Sequence, residues 1–351
     1  MMKKTLLTSA IAALTIAPNF TFADDTELKE IKQRLAQLEA EKAATTSNVS
    51  WIDQLAFAAL IEMEASANEF VDDNGKIDSE NDLVVSTVEL GLEAVVNDYT
   101  TATIIGLYEE DGDGLDIDVV TITFGNEEKT PFSLVLGQDY LPFGSYETNL
   151  VNDTLGLEIG ETLATTSIVG VDVNGFSASA YIYNNERDGQ DNEVTATGFS
   201  AGYASDTFSI GADYINDILS SDSLRDLDLS AVDDTYAISL HATAQLGDFN
   251  LIGEYIVTDT IEEAGVKSDL TTAQLEAAYA FGDFTLAAAY QVTEDATELL
   301  PEERLSIGGN YDVLDNLNVG VEFWQDKDYN KNDGGTGESL NNVAVLVAVE
   351  F

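Results

Sequence analysis

The last nine residues of the chain constrain its fold more strongly than any other stretch. Valine occupies every second position there and the chain ends on an aromatic residue: Val343, Val345, Val347, Val349 and Phe351 share one face, while Ala344, Ala348 and Glu350 share the other, with Leu346 as an exception. A repeat of two places successive side chains on opposite faces of a β-strand. The pattern therefore predicts a C-terminal strand with one strongly apolar face.

The same alternation recurs along most of the chain from Trp51 onward, and it is clearest at 235–246. It predicts sixteen strands: 55–69, 82–97, 99–110, 115–126, 131–139, 162–173, 175–185, 195–205, 207–216, 235–246, 248–259, 269–281, 283–294, 302–312, 316–327 and 340–351. No run of about 18 apolar residues follows residue 25, so the sequence offers no membrane-spanning helix there.

The connections between these strands alternate in length. Those after even-numbered strands are tight turns, such as Asn174-Gly175, whereas those after odd-numbered strands are longer and acidic, the longest being 140–161. This asymmetry is typical of transmembrane β-barrels with both termini on the periplasmic side. An even strand number also closes the sheet without an open edge. A short strand hidden at Leu155 to Ile159 would change the count by one pair.

The C-terminal strand resembles the closing strand of bacterial outer-membrane β-barrels. The resemblance implies that Phe351 is an assembly signal and that the last strand pairs with the first. We therefore expect an all-β fold, a 16-stranded antiparallel transmembrane β-barrel preceded by a short N-terminal coiled-coil helix. Its surroundings would be the lipid and lipopolysaccharide of the bacterial outer membrane. A buried strand of a soluble β-sandwich is the alternative, but it would need none of the features found upstream.

Four segments are predicted: a signal peptide at 1–23, a coiled-coil helix at 24–44, a linker at 45–50 and the barrel at 51–351. The signal peptide has Lys3-Lys4, an apolar stretch and a small-x-small cleavage site. The helix carries a heptad seam: Leu28, Ile31, Leu35 and Leu38. Two heptads are too short to be stable alone, so the seam implies self-association. Leu at a with Ile or Leu at d favours trimers or tetramers over dimers, and we expect a homotrimer. A helix docked on the barrel is the alternative.

The charge of the chain is strongly unbalanced, at −51. Residues 51–351 hold 8 Lys or Arg and 59 Asp or Glu, which accounts for the whole imbalance. Such an acidic domain argues against nucleic acid as a partner, because phosphate binding depends on Lys and Arg. Two interpretations remain open: a channel that concentrates cations, or a general acidity of the organism's proteins.

The longest predicted loop contains Pro142 and Gly144, which impose a bend, and aromatic residues that could pack against a wall. The segment 137–148 resembles a Pro-Phe-Gly segment of substrate-specific porins. Together with the overall architecture, it makes the chain similar to the LbtU-type siderophore porin family. The resemblance implies a third loop folded into the lumen and uptake of a small solute or a ferric siderophore. The expected constriction residues are Pro142, Phe143, Gly144, Tyr146, Glu147 and Asp153.

Sixteen strands enclose a lumen wide enough for water, and side chains opposite the apolar faces should line it. The expected lining is mainly acidic: Glu62, Glu89, Glu93, Asp213, His241, Glu254, Glu276, Arg304, Asp312 and Glu322. With one basic residue on an inward face, Arg304, this lining disfavours phosphate as the transported solute.

The sequence contains few residues that could form a catalytic site or bind a cofactor. His241 is the only histidine and cysteine is absent, which argues against a multi-histidine metal site and against thiol chemistry. Ser239 shares a strand face with His241, but acyl transfer would also need a positioned acid. The acidic stretch 109–116 resembles part of a calcium loop without its final Glu. We expect no enzyme, no cofactor and no resident metal. A diffusion channel, a siderophore channel and an adhesive or structural surface barrel remain as alternatives.

Overall fold

The computed structural model describes residues 54–71, 77–110, 112, 114–126, 128–185, 193–225, 234–263, 266–297 and 299–351. The predicted signal peptide, coiled-coil helix and linker lie outside these residues. Among the residues that are described, no helix is both long enough and apolar enough to cross a membrane.

Sixteen antiparallel strands form one closed barrel. They are β1 (Leu55–Val71), β2 (Ile77–Asn97), β3 (Thr100–Tyr108), β4 (Leu115–Phe124), β5 (Phe132–Tyr140), β6 (Leu163–Val173), β7 (Phe176–Asn185), β8 (Glu193–Ala204), β9 (Phe208–Ile215), β10 (Ala237–Leu246), β11 (Phe249–Thr258), β14 (Thr271–Phe281), β15 (Phe284–Glu294), β16 (Glu303–Leu314), β17 (Leu317–Lys327) and β18 (Ser339–Glu350). Two short strands, β12 (Ile261–Glu263) and β13 (Val266–Ser268), form a separate hairpin in the loop between β11 and β14. The short helix α1 spans Leu155–Gly160.

The barrel closes between its first and last strands. The register of β1 and β18 runs from Leu60 opposite Glu350 to Val71 opposite Ser339. The final residue continues this ladder, because Ala59 donates its backbone N–H to the Phe351 carbonyl at 2.7 Å and accepts the Phe351 N–H at 3.0 Å. The last residue of the chain therefore completes the seam.

Alternation of period two separates the two faces of the barrel wall. In β14, Leu275 is 72% exposed, whereas its neighbours Gln274 and Glu276 are 6% and 4% exposed. An apolar outer face suits contact with lipid, and a polar inner face suits a water-filled lumen. Each strand also finds backbone partners on both sides, which is the condition that a hydrocarbon environment imposes on a sheet.

Outward aromatic side chains gather in rows near the short-turn end of the barrel. Five of them form a chain of ring contacts with centroid separations of 4.2–6.2 Å: Phe249, Tyr279, Phe281, Phe284 and Tyr311. Rows of this kind are typical of the interfacial girdles of membrane barrels.

The sixteen predicted strands are confirmed, with most bounds shifted by one or two residues and with the additional hairpin β12–β13 in a predicted loop. Two differences are larger. β2 begins at Ile77 instead of 82, because its backbone pairing with β1 continues to Val71 even where the side chains are polar. The short strand considered at Leu155 to Ile159 is instead the helix α1. Its N-cap is Thr154, whose hydroxyl accepts the backbone N–H of Leu157 at 3.1 Å.

An apolar core fills one side of the barrel at its long-loop end. Side chains of six neighbouring strands, β6 to β11, pack against apolar loop residues: Ala164, Tyr181, Tyr183, Ala196, Ile215, Ala237 and Ile256 from the strands, and Phe143, Leu155, Ile159, Ile218, Leu219, Leu224, Ile261, Leu270 and Leu300 from the loops. Burying a large apolar side chain contributes about 1.5–3 kcal/mol. The loops are therefore held firmly against the β6–β11 side of the wall.

Candidate functional site

Loop 3, defined as residues 141–162 between β5 and β6, lies inside the barrel. Its hydrogen bonds reach inward side chains of β9, β11, β14, β15, β16 and β17. These strands are separated from β5 and β6 by other strands of the closed sheet. A loop can contact so many inner faces only by crossing the lumen, so loop 3 narrows the barrel from within.

Two wall carboxylates hold the first part of loop 3. Gly144 donates its backbone N–H to Asp213 Oδ2 at 3.0 Å. Ser145 and Tyr146 donate theirs to the two oxygens of Glu254 at 2.7 and 2.9 Å. Ionised carboxylates only accept hydrogen bonds, and bonds to them are stronger than neutral ones. Asp213 and Glu254 therefore serve as anchors for the loop backbone.

Two further carboxylates hold the middle of loop 3. Glu276 accepts the backbone N–H of Asn149 at 2.7 Å. Glu322 uses a single oxygen, Oε2, to accept the N–H groups of Val151 and Asn152 at 2.8 and 2.7 Å. Glu322 is only 1% exposed. The four anchors come from β9, β11, β14 and β17, so they fix the loop along a broad arc of the wall.

The Pro142-Phe143-Gly144 segment bends loop 3 toward the wall. Gly144 has φ +79°, in the left-handed region that glycine adopts without strain, and a side chain there would collide with the Tyr146 ring. Phe143 is 1% exposed and belongs to the apolar core. Phe143 therefore seats the loop and does not face the open lumen.

Helix α1 forms the second half of loop 3. Its Leu155 donates its backbone N–H to Gln291 Oε1 at 2.7 Å, and the side chains of Leu155 and Ile159 are buried in the apolar core. Glu158 projects into the open part of the lumen. Partial burial raises the pKa of the Glu158 carboxyl, although the nearby Arg304 guanidinium opposes this shift.

Arg304 connects β16 with β17 and with loop 3. Its Nε and Nη2 donate to the two oxygens of Asp326 at 2.7 and 3.0 Å, a bidentate ion pair. Its Nη1 donates to the backbone carbonyl of Asp153 at 3.1 Å. The ion pair compensates the positive charge of Arg304, and the separate Nη1 bond holds loop 3 at Asp153.

A cavity of about 460 Å³ lies between loop 3 and the inner wall of the barrel. Loop 3, which includes α1, forms one side of this cavity. Strands β1, β2, β16, β17 and β18, with Glu109, Glu110 and Gly112 from the connection between β3 and β4, form the other. One guanidinium and seven carboxylates line it: Arg304 with Glu64, Asp82, Glu109, Glu110, Asp153, Glu158 and Asp326. Neutral polar side chains complete the lining, among them Asn68, Asn152, Asn342 and Trp324. We call it the acidic cavity.

The residues predicted from sequence lie in three places. Four are the loop anchors, Asp213, Glu254, Glu276 and Glu322, and two others, Asp153 and Arg304, line the acidic cavity. Others belong to strands of the wall: Glu62 to β1, Glu89 and Glu93 to β2, and Asp312 to β16. Glu147 is exposed on loop 3, while its backbone carbonyl accepts the Gln274 amide at 3.1 Å.

His241 lies beside a loop anchor. Its Nε2 is 3.2 Å from Asp213 Oδ2, the oxygen that also accepts the Gly144 N–H. Ser239 donates its hydroxyl to Glu254 at 3.1 Å, so it is bonded to an anchor and not to the imidazole. Within the described ranges, no three His, Cys, Asp or Glu side chains form a group suited to a metal ion.

Sequence reasoning missed several residues of the acidic cavity, including Asp82, Glu110, Trp324 and Asn342. The polar segment 78–82 lacks apolar alternation, yet the strand pairing of β2 continues there and Asp82 lies opposite Ser66. Asn342 stands opposite Trp324. Extending the period of two beyond the apolar part of each strand would have assigned these positions to the inner face.

A family model described as Gram-negative porin matches residues 114–345, which is more than half of the chain. No curated protein matches the chain.

Solved structures of porins share the barrel at low sequence identity. An anion-selective porin from Comamonas acidovorans is 16% identical, with a TM-score of 0.61, 85% of this chain covered and 99% of that chain. OmpF of Salmonella typhi in complex with daunomycin is also 16% identical, with a TM-score of 0.61 and coverage of 85% and 97%. The outer membrane channel DcaP of Acinetobacter baumannii is 12% identical, with a TM-score of 0.60 and coverage of 85% and 97%. At such identities the likeness shows the fold alone.

Proposed function

The chain belongs to the family of Gram-negative porins, and from this premise we propose that it forms a water-filled channel of the bacterial outer membrane that favours cations. The family and its fold are those of channels, not of enzymes. A sixteen-stranded barrel is wide enough to hold water, and loop 3 reduces its width without filling it. The proposal therefore concerns which solutes the remaining passage prefers.

The acidic cavity is the observation that carries this proposal. Seven carboxylates and one guanidinium surround about 460 Å³ of space, and the guanidinium of Arg304 is already paired with Asp326. Screening acts over roughly 8–10 Å at physiological salt, a length comparable with the width of such a cavity. An ion inside it is therefore exposed to the negative field of the lining. The porin from Comamonas acidovorans is described as anion-selective, whereas the charge here favours the opposite preference.

The test is electrical. The purified full-length protein, inserted in a planar bilayer under a KCl gradient, should give a reversal potential of the sign that a K⁺-preferring pore produces. A reversal potential of the opposite sign would refute the cation preference. Bilayers without any open-channel steps would instead favour a structural or adhesive surface barrel.

The orientation follows from the same premise. The described chain begins and ends at the short-turn end of the barrel, since β1 starts at Leu55 and β18 ends at Glu350. In membrane barrels the short turns face the periplasm and the long loops face outward. We propose this orientation here, with both termini periplasmic and the acidic cavity entered from the outside.

A homotrimer is the assembly that we propose. In the described part of the chain, the long-loop half of β7–β17 exposes outward aromatics: Phe199, Tyr236, Tyr255, Tyr290 and Phe323. The corresponding half of β2–β6 exposes none of its aromatics and is aliphatic, as at Leu83 and Ile117. Aromatic girdles mark contact with the lipid interface, so a gap in the girdle fits contact with another copy. The heptad seam at 24–44 supports the same assembly.

A second candidate function is uptake of a ferric siderophore, as the resemblance to LbtU-type porins implies. Its support is the Pro142-Phe143-Gly144 bend, which lies at the anchored start of loop 3. Growth of a deletion strain on a panel of iron sources tests this candidate. Loss of growth on one ferric siderophore, restored by the wild-type chain, would support it. Unchanged growth on every iron source would leave the cation channel as the function.

A further inference from the structure

The acidic cavity has two chemically different sides. Hydrogen-bond donors come from three consecutive strands, with Arg304 on β16, Trp324 on β17 and Asn342 on β18. Carboxylates come from the strands that follow in the closed sheet, with Glu64 on β1 and Asp82 on β2. We call the β16–β18 part of the cavity the donor side and the β1–β2 part the acid side. Asp326 on β17 pairs with Arg304 on the donor side, and Asp153 and Glu158 of loop 3 also lie near this guanidinium.

The donor side has capacity that the protein itself does not use. Asn342 is 3% exposed, and its amide Nδ2 has no hydrogen-bond partner. A buried polar group without a partner is costly, at about 1–3 kcal/mol, so an N–H donor in a cavity wall calls for an acceptor. Arg304 adds to this capacity, because Asp326 and Asp153 take three of its five N–H groups.

The acid side provides the opposite chemistry. Glu110 and Asp82 line the cavity, and the Glu110 carboxylate accepts the backbone N–H of Val85 at 2.7 Å. That bond holds the carboxylate in place while leaving it further lone pairs for an ammonium group. From β18 to β2 there are two strand steps, or about 10 Å. An extended amino acid with a cationic side chain has its two ends separated by a similar length.

We propose that the acidic cavity is a binding subsite for basic amino acids and short basic peptides. The solute carboxylate would accept hydrogen bonds from Asn342, Trp324 and Arg304, and its ammonium groups would approach Glu64, Asp82 and Glu110. The excess of carboxylates favours solutes with net positive charge over neutral amino acids. This assignment rests on the proposed cation-favouring channel and names the class of solute that it passes.

The experiment compares two probes that differ by one carboxylate, L-lysine and cadaverine. Each is titrated against the potassium current of the full-length protein in planar bilayers, and the half-inhibiting concentration is measured. Asn342→Ala removes one donor to the carboxylate, so we expect this concentration to rise about three- to tenfold for lysine. For cadaverine, which has no carboxylate, we expect no change. Trp324→Phe removes the indole N–H and keeps an aromatic, although smaller, ring, and should act in the same direction.

The matched control is Asn341→Ala, which truncates the neighbouring asparagine on the other face of β18, where its side chain bonds Gln325. We expect both half-inhibiting concentrations to stay at the wild-type values. Equal effects of Asn342→Ala on lysine and cadaverine, or no effect on either, would overturn the subsite. If Asn342→Ala does not fold into a heat-modifiable barrel, the half-inhibiting concentrations of lysine and cadaverine measured on Trp324→Phe test the subsite instead. If the wild-type reversal potential indicates a preference for cations but Asn342→Ala leaves the half-inhibiting concentration of lysine unchanged, the subsite alone is refuted. A reversal potential that indicates a preference for anions refutes the proposed function as well.

Discussion

The Glu322 carboxylate accepts the backbone N–H of Val151 at 2.8 Å, although 171 positions separate the two residues along the chain. The same oxygen accepts the N–H of Asn152, and the next residue, Asp153, projects into the acidic cavity. Glu322 does not need to face the passage to influence it. It determines where the charged part of loop 3 stands.

The first prediction concerns this anchor. Glu322→Ala should leave the amides of Val151 and Asn152 without their acceptor, at a cost of about 1–3 kcal/mol for each buried group. We expect a folded barrel with a shifted single-channel conductance and noisier open states. Asp312→Ala is the control, because Asp312 is also acidic but bonds Asn318 near the short-turn end. Conductance and noise equal to wild type in Glu322→Ala would contradict the role as an anchor.

The second prediction concerns charge in the cavity. The double variant Asp153→Asn, Glu158→Gln should move the reversal potential under a KCl gradient toward zero, because two lining carboxylates are lost. The matched pair Asp333→Asn, Glu338→Gln lies in the exposed loop between β17 and β18 and should have a smaller effect. Raising the salt toward 1 M should also weaken the wild-type preference, since the screening length falls to about 3 Å. If the two double variants behave alike, the preference does not arise in the cavity.

The third prediction concerns pH. The pKa of Glu158 is raised by burial, so this carboxyl takes up its proton at a higher pH than an ordinary glutamate. On acidification the wild-type cation preference should therefore begin to decline earlier than the preference of Glu158→Gln, which has lost this charge at every pH. Reversal potentials recorded from pH 8 down to about pH 4 test this. Parallel pH profiles for the two proteins would show that Glu158 does not contribute.

The fourth prediction concerns assembly of the barrel. Phe351 and Phe57 have similar exposures, 68% and 69%, but only Phe351 forms backbone bonds with Ala59 across the closing seam. Deleting Phe351 should therefore lower the amount of barrel in the outer membrane more than Phe57→Ala does. Quantitative immunoblots of outer-membrane fractions provide the measurement. Equal amounts of the two variants would remove the special role of the final residue.

The fifth prediction concerns oligomers. Ile31→Asp with Leu35→Asp should weaken the proposed trimer and leave each barrel folded. Burying a carboxylate in a heptad seam costs several kcal/mol per ion, while the strands are unaffected. Crosslinking followed by denaturing electrophoresis should show a loss of trimer-sized species. Trimers that persist at wild-type levels would indicate that the segment does not hold the oligomer together.

The strands could be predicted from sequence because each one carries its own signal. At 235–246, alternating apolar and polar residues specify two faces whatever the rest of the chain does. Turns such as Asn174-Gly175 specify the local reversal, and Asn174 and Gly175 indeed have positive φ. Where the side chains are polar on both faces, as at 78–82, the signal disappears although the strand continues.

The inner architecture could not be predicted, because alternation gives the face of a residue and not its partner. Asp213 and Glu254 occupy inward positions of the alternation like every other acidic residue of the inner face. The neighbouring sequence does not show that they bind the backbone of loop 3. Ile218 and Leu219 lie in a long loop, where two buried apolar residues do not reveal which wall they pack against. Such contacts depend on how distant segments meet in three dimensions.

Loop 3 is held by hydrogen bonds from uncharged backbone amides to wall carboxylates, and not mainly by ion pairs between loop and wall. Dissolved salt weakens attraction between exposed opposite charges far more than it weakens short, buried amide–carboxylate bonds. The width of the passage should therefore stay constant over the range of salinities that a cell meets. Its preference among ions would still respond to those salinities. In a bacterium carrying this protein, the size limit for passing solutes would stay the same at different salinities, while the preference for cations over anions would change with the salt concentration outside.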